Sequence, residues 1–474
     1  MPTASPPSIA TDYTLVTEMG ADFKYSLFAI RTDGTSKQLL DQGAHNNHYG
    51  KIVNGRVFFE RYEKPFPNSP SSDRDIYSIN LDGTDRRQLT SGTDDDHIAA
   101  IVGERIVVER IPPTALNNNS TDLISMRLDG SDLRILANNA QRKEAVATAS
   151  TDGQRLLINS ADNKENNLYS LHADGSSAPI AIADSLANEL FHRLAGNIIV
   201  FEEDNSSTGT FGDQVIQVNA RNIDGSGSVV LSEGANDRHY YVGTIGDRAV
   251  IWSKNARRVE TVKLDGSDRR ILITDISAKP FLQGPVLFFD RVDSSNVQQV
   301  FGFDVLVALQ GSKKPPVQLT HASTRSRILN FAPAELKTII VYRQSDPSQP
   351  STASIYAVQY GQGGIQEKLL AANAGTVYSS FVHQGRFIFQ RLFEPYQSVK
   401  LDGTGLVTLL NHSEPFYMEH VGVSNNGRLI VTKYTQAPAD SPLPELGQVF
   451  AVNADGGNAV PLTALSLDAA WVGY

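Results

Sequence analysis

The stretch Ile76-Tyr77-Ser78-Ile79-Asn80-Leu81-Asp82-Gly83-Thr84-Asp85-Arg86-Arg87-Gln88-Leu89-Thr90 decides how this chain is read. Up to Asn80, apolar residues alternate with small or polar ones, the period of a strand with two unlike faces. Asp82-Gly83 then offers the positive φ angles of a tight hairpin, and Arg86 to Thr90 returns as a second strand. The pattern recurs. Asp-Gly stands at Asp33-Gly34, Asp82-Gly83, Asp129-Gly130, Asp174-Gly175, Asp224-Gly225, Asp265-Gly266, Asp402-Gly403 and Asp455-Gly456, with degenerate versions at Gln310-Gly311 and Gly361-Gln362. Ten units result, spaced 41 to 53 residues apart, and a fixed period of that size marks a propeller, solenoid or array.

A second hairpin precedes most of these turns: Lys51 to Phe59 around Asn54-Gly55, Ser150 to Ile158 around Asp152-Gly153, and Gly422 to Val431 around Asn426-Gly427. Each unit therefore holds four antiparallel strands, which is a propeller blade. No segment shows a helical period. The first unit opens at Tyr13 with what matches a blade's second strand, and Leu465 to Tyr474 is left over at the other end. Pairing that tail into the first blade closes the ring and removes its open edges. The expectation is an all-β fold: a single ten-bladed propeller over residues 13–474, behind a flexible leader over residues 1–12 that is rich in Pro, Ser, Thr and Ala.

Composition narrows the function classes. The 474 residues carry a net charge of −10 and no basic stripe, which argues against a nucleic-acid partner. No apolar run approaches the ~18 residues of a membrane span, so no membrane insertion is expected. Cysteine is absent, which removes disulfides, thiolate nucleophiles and Cys-based metal sites. No Gly-x-Ser-x-Gly elbow, His-Glu-x-x-His, P-loop or dinucleotide fingerprint occurs.

Strand alternation puts the turns within each hairpin on one face and the remaining connections on the other. The second set includes the long segments 63–74, 112–122, 202–213, 292–300, 345–354 and 437–447, and irregular loops on a rigid scaffold are where binding resides. Eight of the ten histidines fall at or just before a blade's innermost strand: His45, His48, His97, His192, His239, His321, His412 and His420. Counting back eight residues from Arg56, Arg105 and Arg428 lands on His48, His97 and His420, with Tyr378 and Glu189 at that place in two other blades. Tyr240, Tyr241, Phe281, Phe331, Phe381, Phe416 and Tyr417 also gather near inner-strand entries, where they either pack between blades or meet a ligand. The candidate ligand-binding set is His48, His97, His420, Tyr378, Glu189, His239, Tyr240 and Arg193. Imidazoles at a channel mouth suit either backbone hydrogen bonds or a divalent metal such as zinc or manganese; the reading adopted is no cofactor. Asp94-Asp95-Asp96 reads as a solvated turn in preference to a calcium loop. The Asp-Gly turn carboxylates are expected to cap turn amides, and Arg86-Arg87 and Arg269-Arg270 to lie on solvated outer edges.

The run Leu81-Asp82-Gly83-Thr84-Asp85-Arg86-Arg87-Gln88-Leu89-Thr90 resembles the repeat of TolB-like propellers, and similar repeats occur in dipeptidyl peptidase propellers and oligogalacturonate lyases. The resemblance covers nearly all of residues 13–474 and implies blade type more than activity. The family's Ser-Pro-Asp-Gly hairpin survives only as Ser150-Thr151-Asp152-Gly153. The expected function is a non-catalytic, monomeric, periplasmic or secreted propeller that binds a peptide, protein or glycan. The alternative is a polysaccharide lyase or hydrolase in which His48, His97 or His420 contacts metal or substrate and Arg193 or Arg238 neutralises a uronate. A purely structural assembly protein is the third class.

Overall fold

The computed structural model describes residues 12–45, 49–63, 73–113, 121–138, 143–150, 154–161, 166–183, 188–204, 215–234, 237–312, 314–331, 338–344, 353–361, 364–391, 394–410, 418–436, 445–466 and 469–473. They form ten four-stranded antiparallel sheets, one per repeat, and nine of the ten are built from consecutive strands. We number the blades 1 to 10 along the chain and letter their strands a to d from the channel outward. Blade 2, for example, comprises Tyr49–Val53, Arg56–Tyr62, Arg74–Asn80 and Arg87–Gln88.

Blade 1 is the exception, and it closes the ring. Its strand a is the C-terminal segment Ala469–Gly473, which pairs antiparallel with Tyr13–Met19 through Glu18↔Ala469, Thr17↔Ala470 and Val16↔Trp471. The core gives independent support. Period-2 alternation sends neighbouring side chains to opposite faces of each sheet, so Phe59 packs against Leu15 and Leu27 of blade 1 while Phe58 packs against Ile106 and Ile124 of blade 3. Every pair of adjacent blades shares one such cluster, including blade 10 with blade 1, where Ile430, Val449 and Ala451 meet Val16, Ile30 and Ala469. At roughly 1.5–3 kcal/mol for each fully buried Phe, Leu or Ile, these interfaces hold the wheel together. Of the expected leader, Asp12 alone is described: its carbonyl accepts from Thr32 N at 2.8 Å and its carboxylate meets Arg31 at 3.3 Å.

The Asp-Gly turns differ from the expected two-residue form. Only the glycine takes positive φ, as at Gly83 (82°) and Gly130 (84°). Gly83 N donates to Asn80 O at 2.9 Å and Asn80 N to Thr84 O at 3.0 Å, a three-residue loop ending in a left-handed glycine. The aspartate is held out of the left-handed region because Asp82 Oδ1 accepts from both Thr84 N (2.9 Å) and Thr84 Oγ1 (2.6 Å). Asp33, Asp129, Asp174, Asp224, Asp265, Asp402 and Asp455 each accept from the amide two residues on, as the sequence reading expects. Two-residue turns with both φ positive occur at Asn54-Gly55 and Gln384-Gly385.

One helix is present where none is expected, Val305–Leu309 in blade 7. Asp304 caps it by accepting from Val307 N at 3.2 Å, and the helix fills the c-to-d connection. Gln310-Gly311 therefore ends a helix instead of turning a hairpin.

Candidate functional site

Strands a and c end, and b and d begin, at the short-turn face; the b-to-c and d-to-a connections make the opposite face. Most of the long connections on that second face lie outside the described residues. The exception is 292–300, where Asp293 Oδ1 accepts from Ser295 N and Val297 N at 2.8 and 3.0 Å.

A repeated carboxylate organises the channel side of this face. Four residues after the start of strand b stand Glu60, Glu109, Glu202 and Asp290. Glu60 accepts from Ile98 N at 2.9 Å, Glu109 from Val146 N at 3.2 Å and Glu202 from Tyr241 N at 2.7 Å, each amide belonging to strand a of the next blade. Asp290 accepts from Ile328 N in the same manner. All four amides sit at a β-bulge, where the extra residue interrupts the ladder. These carboxylates latch blade to blade.

The bulges also break the proposed equivalence of the histidines. In blade 3 the bulge between Ile98 and Ala100 sets His97 opposite Glu109. Blade 2 pairs without a bulge, so Tyr49, not His48, lies opposite the equivalent Glu60. His48 itself lies outside the described residues, and only the backbone is described for Glu189 and His420, in the strands Asn188–Ala195 and Met418–Val423.

At the mouth between blades 2 and 3, His97 has Nδ1 3.5 Å from Glu60 and Nε2 3.6 Å from Asp95. Arg74 grips Asp95 with Nε and Nη2 at 2.5 and 2.7 Å and lies over the Tyr62 ring at 4.9 Å. The acidic run is therefore no solvated turn. Asp95 and Asp96 begin the strand Asp95–Val102 and are buried, Asp96 only 1% exposed, and Arg110 meets Asp96 at 2.7 and 2.8 Å. Nearby Asp75 is pushed up to about 6 by burial and by Asp73 and Asp96. The outer-edge arginines also divide. Arg87 and Arg270 are exposed beside Asp85 and Asp268, whereas Arg86 reaches buried Asp41 at 2.9 Å and stacks on Tyr77, and Arg269 reaches buried Glu260 at 2.7 Å.

At the mouth of blades 5 to 7, Tyr240 stacks on Trp252 with ring centroids 5.4 Å apart. Lys279 lies 5.3 Å from the Tyr240 ring and 3.5 Å from Glu202, whose pKa burial raises. His239 is 1% exposed, neither ring nitrogen has a hydrogen-bond partner among the described residues, and desolvation lowers its pKa. It is a buried imidazole, with no ligand-facing surface. Arg193 is exposed on blade 5, close enough to Tyr241 to lower that phenol's pKa against the larger, raising effect of burial. Tyr378, on blade 9, is the bulge residue between Val377 and Ser379 and is 73% exposed. The structure thus sets His239 and Tyr240 next to each other on blade 6, places Arg193 on blade 5 beside Tyr241, and leaves His97 and Tyr378 on other sectors. Among the described residues, no three His, Asp or Glu side chains converge so as to hold a metal ion.

The short-turn face carries a feature that the histidine count passes over. Strand b opens with an arginine in blades 2, 3, 4, 6 and 9, and blade 10 has Arg428 just before it. Arg105 shows the arrangement: Nε to Ser125 Oγ at 2.8 Å, Nη1 to Asp132 Oδ2 at 2.8 Å and Nη2 to Asp132 O at 2.7 Å. It clamps the b strand to the c-d turn. The signal was in the sequence, as an arginine, a hydroxyl residue on strand c and an aspartate three positions after the turn aspartate. On this face too lies a cleft of about 690 Å³, bordered by the outer strands of blade 8 and by turns of blades 9 and 10.

No family model matches the sequence, and no curated protein matches it. Solved structures do. The chain is similar to the tricorn protease at 13% identity over 96% of this chain and 45% of that one, TM-score 0.27. It is similar to a prolyl endopeptidase at 11% identity over 82% and 55%, TM-score 0.36, and to TolB from Acinetobacter baumannii at 14% over 56% and 64%, TM-score 0.29. The chain thus spans about half the length of the first two. TolB, the family named from the repeat, is among the matches; the ten-bladed architecture rests on the chain's own strand pairing. No helix among the described residues is long and apolar enough to cross a membrane.

Proposed function

We propose that this protein is a non-catalytic binding propeller, exported to the periplasm or cell exterior, that takes a protein, peptide or glycan at the mouth of its channel on the long-connection face. The observation that carries the reading is the exposed aromatic at a bulge, Tyr378, on the same rim as the Tyr240–Lys279 pair. An aromatic ring offered to solvent on a rigid strand has a large apolar area and little side-chain entropy to lose, which suits stacking on a sugar or gripping a peptide. By contrast, the charged groups beside His97 are engaged with one another, Arg74 with Asp95 and Arg110 with Asp96, so they serve the blade interface first. Export rests on the likeness of the repeat to that of TolB.

The test is a screen of the purified protein on glycan arrays and peptide libraries, followed by affinity measurement for Tyr378→Ala and Lys279→Ala. Both substitutions are at exposed side chains, and unchanged melting temperatures establish that the fold is intact before affinities are compared. A ligand whose binding weakens in both variants supports the reading. No ligand, or one indifferent to both, removes it. Release of unsaturated product from uronate polymers, abolished by His97→Ala, would replace it with the lyase alternative.

A further inference from the structure

The arginine clamps are not alike. In blades 2, 3 and 6 the guanidinium closes on a carboxylate: Arg56 on Asp85 at 2.9 Å, Arg105 on Asp132 at 2.8 Å and Arg248 on Asp268 at 2.8 Å. Those aspartates occupy the left-handed region, at φ of 52°, 54° and 49°. In blade 9 the same position is Gly405 (φ 63°) and in blade 10 Asn458 (φ 51°). The backbone is conserved in shape while the anion is gone. Arg386, 6% exposed, bonds Ser398 Oγ at 2.7 Å, Ser398 O at 3.1 Å and Gly405 O at 2.5 Å. Arg428 bonds Ala451 O at 2.9 Å and the carbonyls of Thr32 and Asn458, and its Nε is buried with no partner. Neither has a carboxylate within hydrogen-bond or ion-pair distance among the described residues; burial lowers the pKa of both, against a smaller raising effect of Asp455 and Asp402 on Arg386 and of Asp33 on Arg428. Arg155 of blade 4 also faces a residue without charge, Ser177, but it stands alone: blade 3 keeps Asp132 and blade 5 opens strand b with Ile198.

Both arginines line the 690 Å³ cleft, and so do Lys368 of blade 8 and Lys400 of blade 9, whose charges act on Asp402 without a hydrogen bond or close ion pair among the described residues. The two acids there, Asp402 and Asp455, each already accept from their own turn at 2.8 and 2.9 Å. Four cations therefore outnumber the three acids that act on them, Asp33, Asp402 and Asp455, each already engaged with its own turn. The remaining lining is rich in amides, Gln359, Gln366, Gln384, Asn426 and Asn453, and contains no aromatic ring, so it offers hydrogen bonds to hydroxyls and nothing to stack on a nucleobase. The volume is that of a small-molecule site.

We infer that the cleft spanning blades 8 to 10 on the short-turn face is an anion-binding site for a small polyhydroxylated solute carrying a carboxylate or a phosphate. Its oxyanion takes the place that Asp85, Asp132 and Asp268 fill in the other blades, and its hydroxyls meet the amides. A charged partner restores to the two guanidinium groups the compensation that a desolvated cation requires. The site is on the face opposite the proposed macromolecular one and is independent of it.

Calorimetric titration with glucuronate and, separately, glucose 6-phosphate at low salt tests the inference. The wild type should bind at least one of them one to one, and which one it binds identifies the anion. Gly405→Asp with Asn458→Asp rebuilds the missing carboxylates; a Cβ at Gly405 meets Arg386 Nη1 at 3.7 Å and Lys400 Cε at 4.0 Å, ordinary contact distances. That variant should bind at least about tenfold more weakly, since the arginine forks are then occupied, and should melt at a higher temperature. Lys368→Gln with Lys400→Gln should weaken binding at unchanged melting temperature. Absence of binding by both solutes, or an affinity that neither double variant alters, overturns the inference.

Discussion

Asp75→Asn should stabilise the protein at neutral pH and do little in acid. Asp75 is 4% exposed and accepts from Gln88 Nε2 at 2.9 Å and Thr90 Oγ1 at 3.5 Å. Burial, then the charges of Asp73 and Asp96, push its pKa from 3.8 to about 6. The folded protein therefore holds this proton more tightly than the unfolded chain between those two values. By linkage, stability falls as pH rises through that window and levels off above it. At roughly 1.36 kcal/mol per pH unit, the displacement amounts to about 3 kcal/mol at pH 7.5, and water at the open mouth reduces the expected gain to about 1–3 kcal/mol. Asparagine keeps an acceptor for Gln88 and carries no charge. Urea unfolding at pH 7.5 and pH 4 measures the effect: the variant should gain at pH 7.5, change by less than about 0.5 kcal/mol at pH 4, and decline less steeply between. A variant less stable than wild type at pH 7.5, or one with the wild-type slope, would refute the reasoning.

Three further outcomes are expected. Arg105→Met strips Ser125 and Asp132 of a buried partner and should lower stability by about 2–4 kcal/mol, whereas Arg87→Ala, at an exposed ion pair, should leave the urea midpoint unchanged; urea midpoints compare them. Gly447→Ala would place a Cβ 2.7 Å from both the backbone N and O of Ala469, so it should displace the closing strand and cost about 1–3 kcal/mol, seen as faster amide exchange over residues 13–19. Asp96→Ala leaves Arg110 with Asp94, at 3.5 Å, as its nearest carboxylate and should destabilise by about 2–4 kcal/mol in the same unfolding assay.

The ring is legible in the sequence because its determinants are local. An Asp-Gly turn needs only its own residues, and Tyr13 to Glu18 and Leu465 to Tyr474 can be recognised as an unpaired strand and its complement without knowing what lies between. Turn geometry is less legible, since whether Asp82 or Gly83 alone goes left-handed is settled by the Asp82 carboxylate reaching Thr84. The candidate site is least legible. Counting back from the strand-b arginines assumes inner strands of uniform register, and the bulge at Ile98 and Ala100 shifts blade 3 against blade 2. Asp95 and Asp96 look like a solvated acidic loop because their partners, Arg74 and Arg110, come from other strands. The same arginines that serve as counting marks are themselves the informative residues: where the turn offers an aspartate they are structural, and opposite Gly405 and Asn458 they lack that direct carboxylate partner.

Hydrogen exchange at the seam of the wheel tests the central claim most directly. In the intact protein, amides of Tyr13–Met19 and Ala469–Gly473 should exchange as slowly as the inner strands of other blades, and a chain ending at Asp468 should lose protection over Tyr13–Met19 and in the blade 10–blade 1 core around Val16, Ile430 and Ala451. Rapid exchange of Ala469–Gly473 in the intact chain, or indifference of Tyr13–Met19 to its removal, would contradict the closed ten-bladed ring.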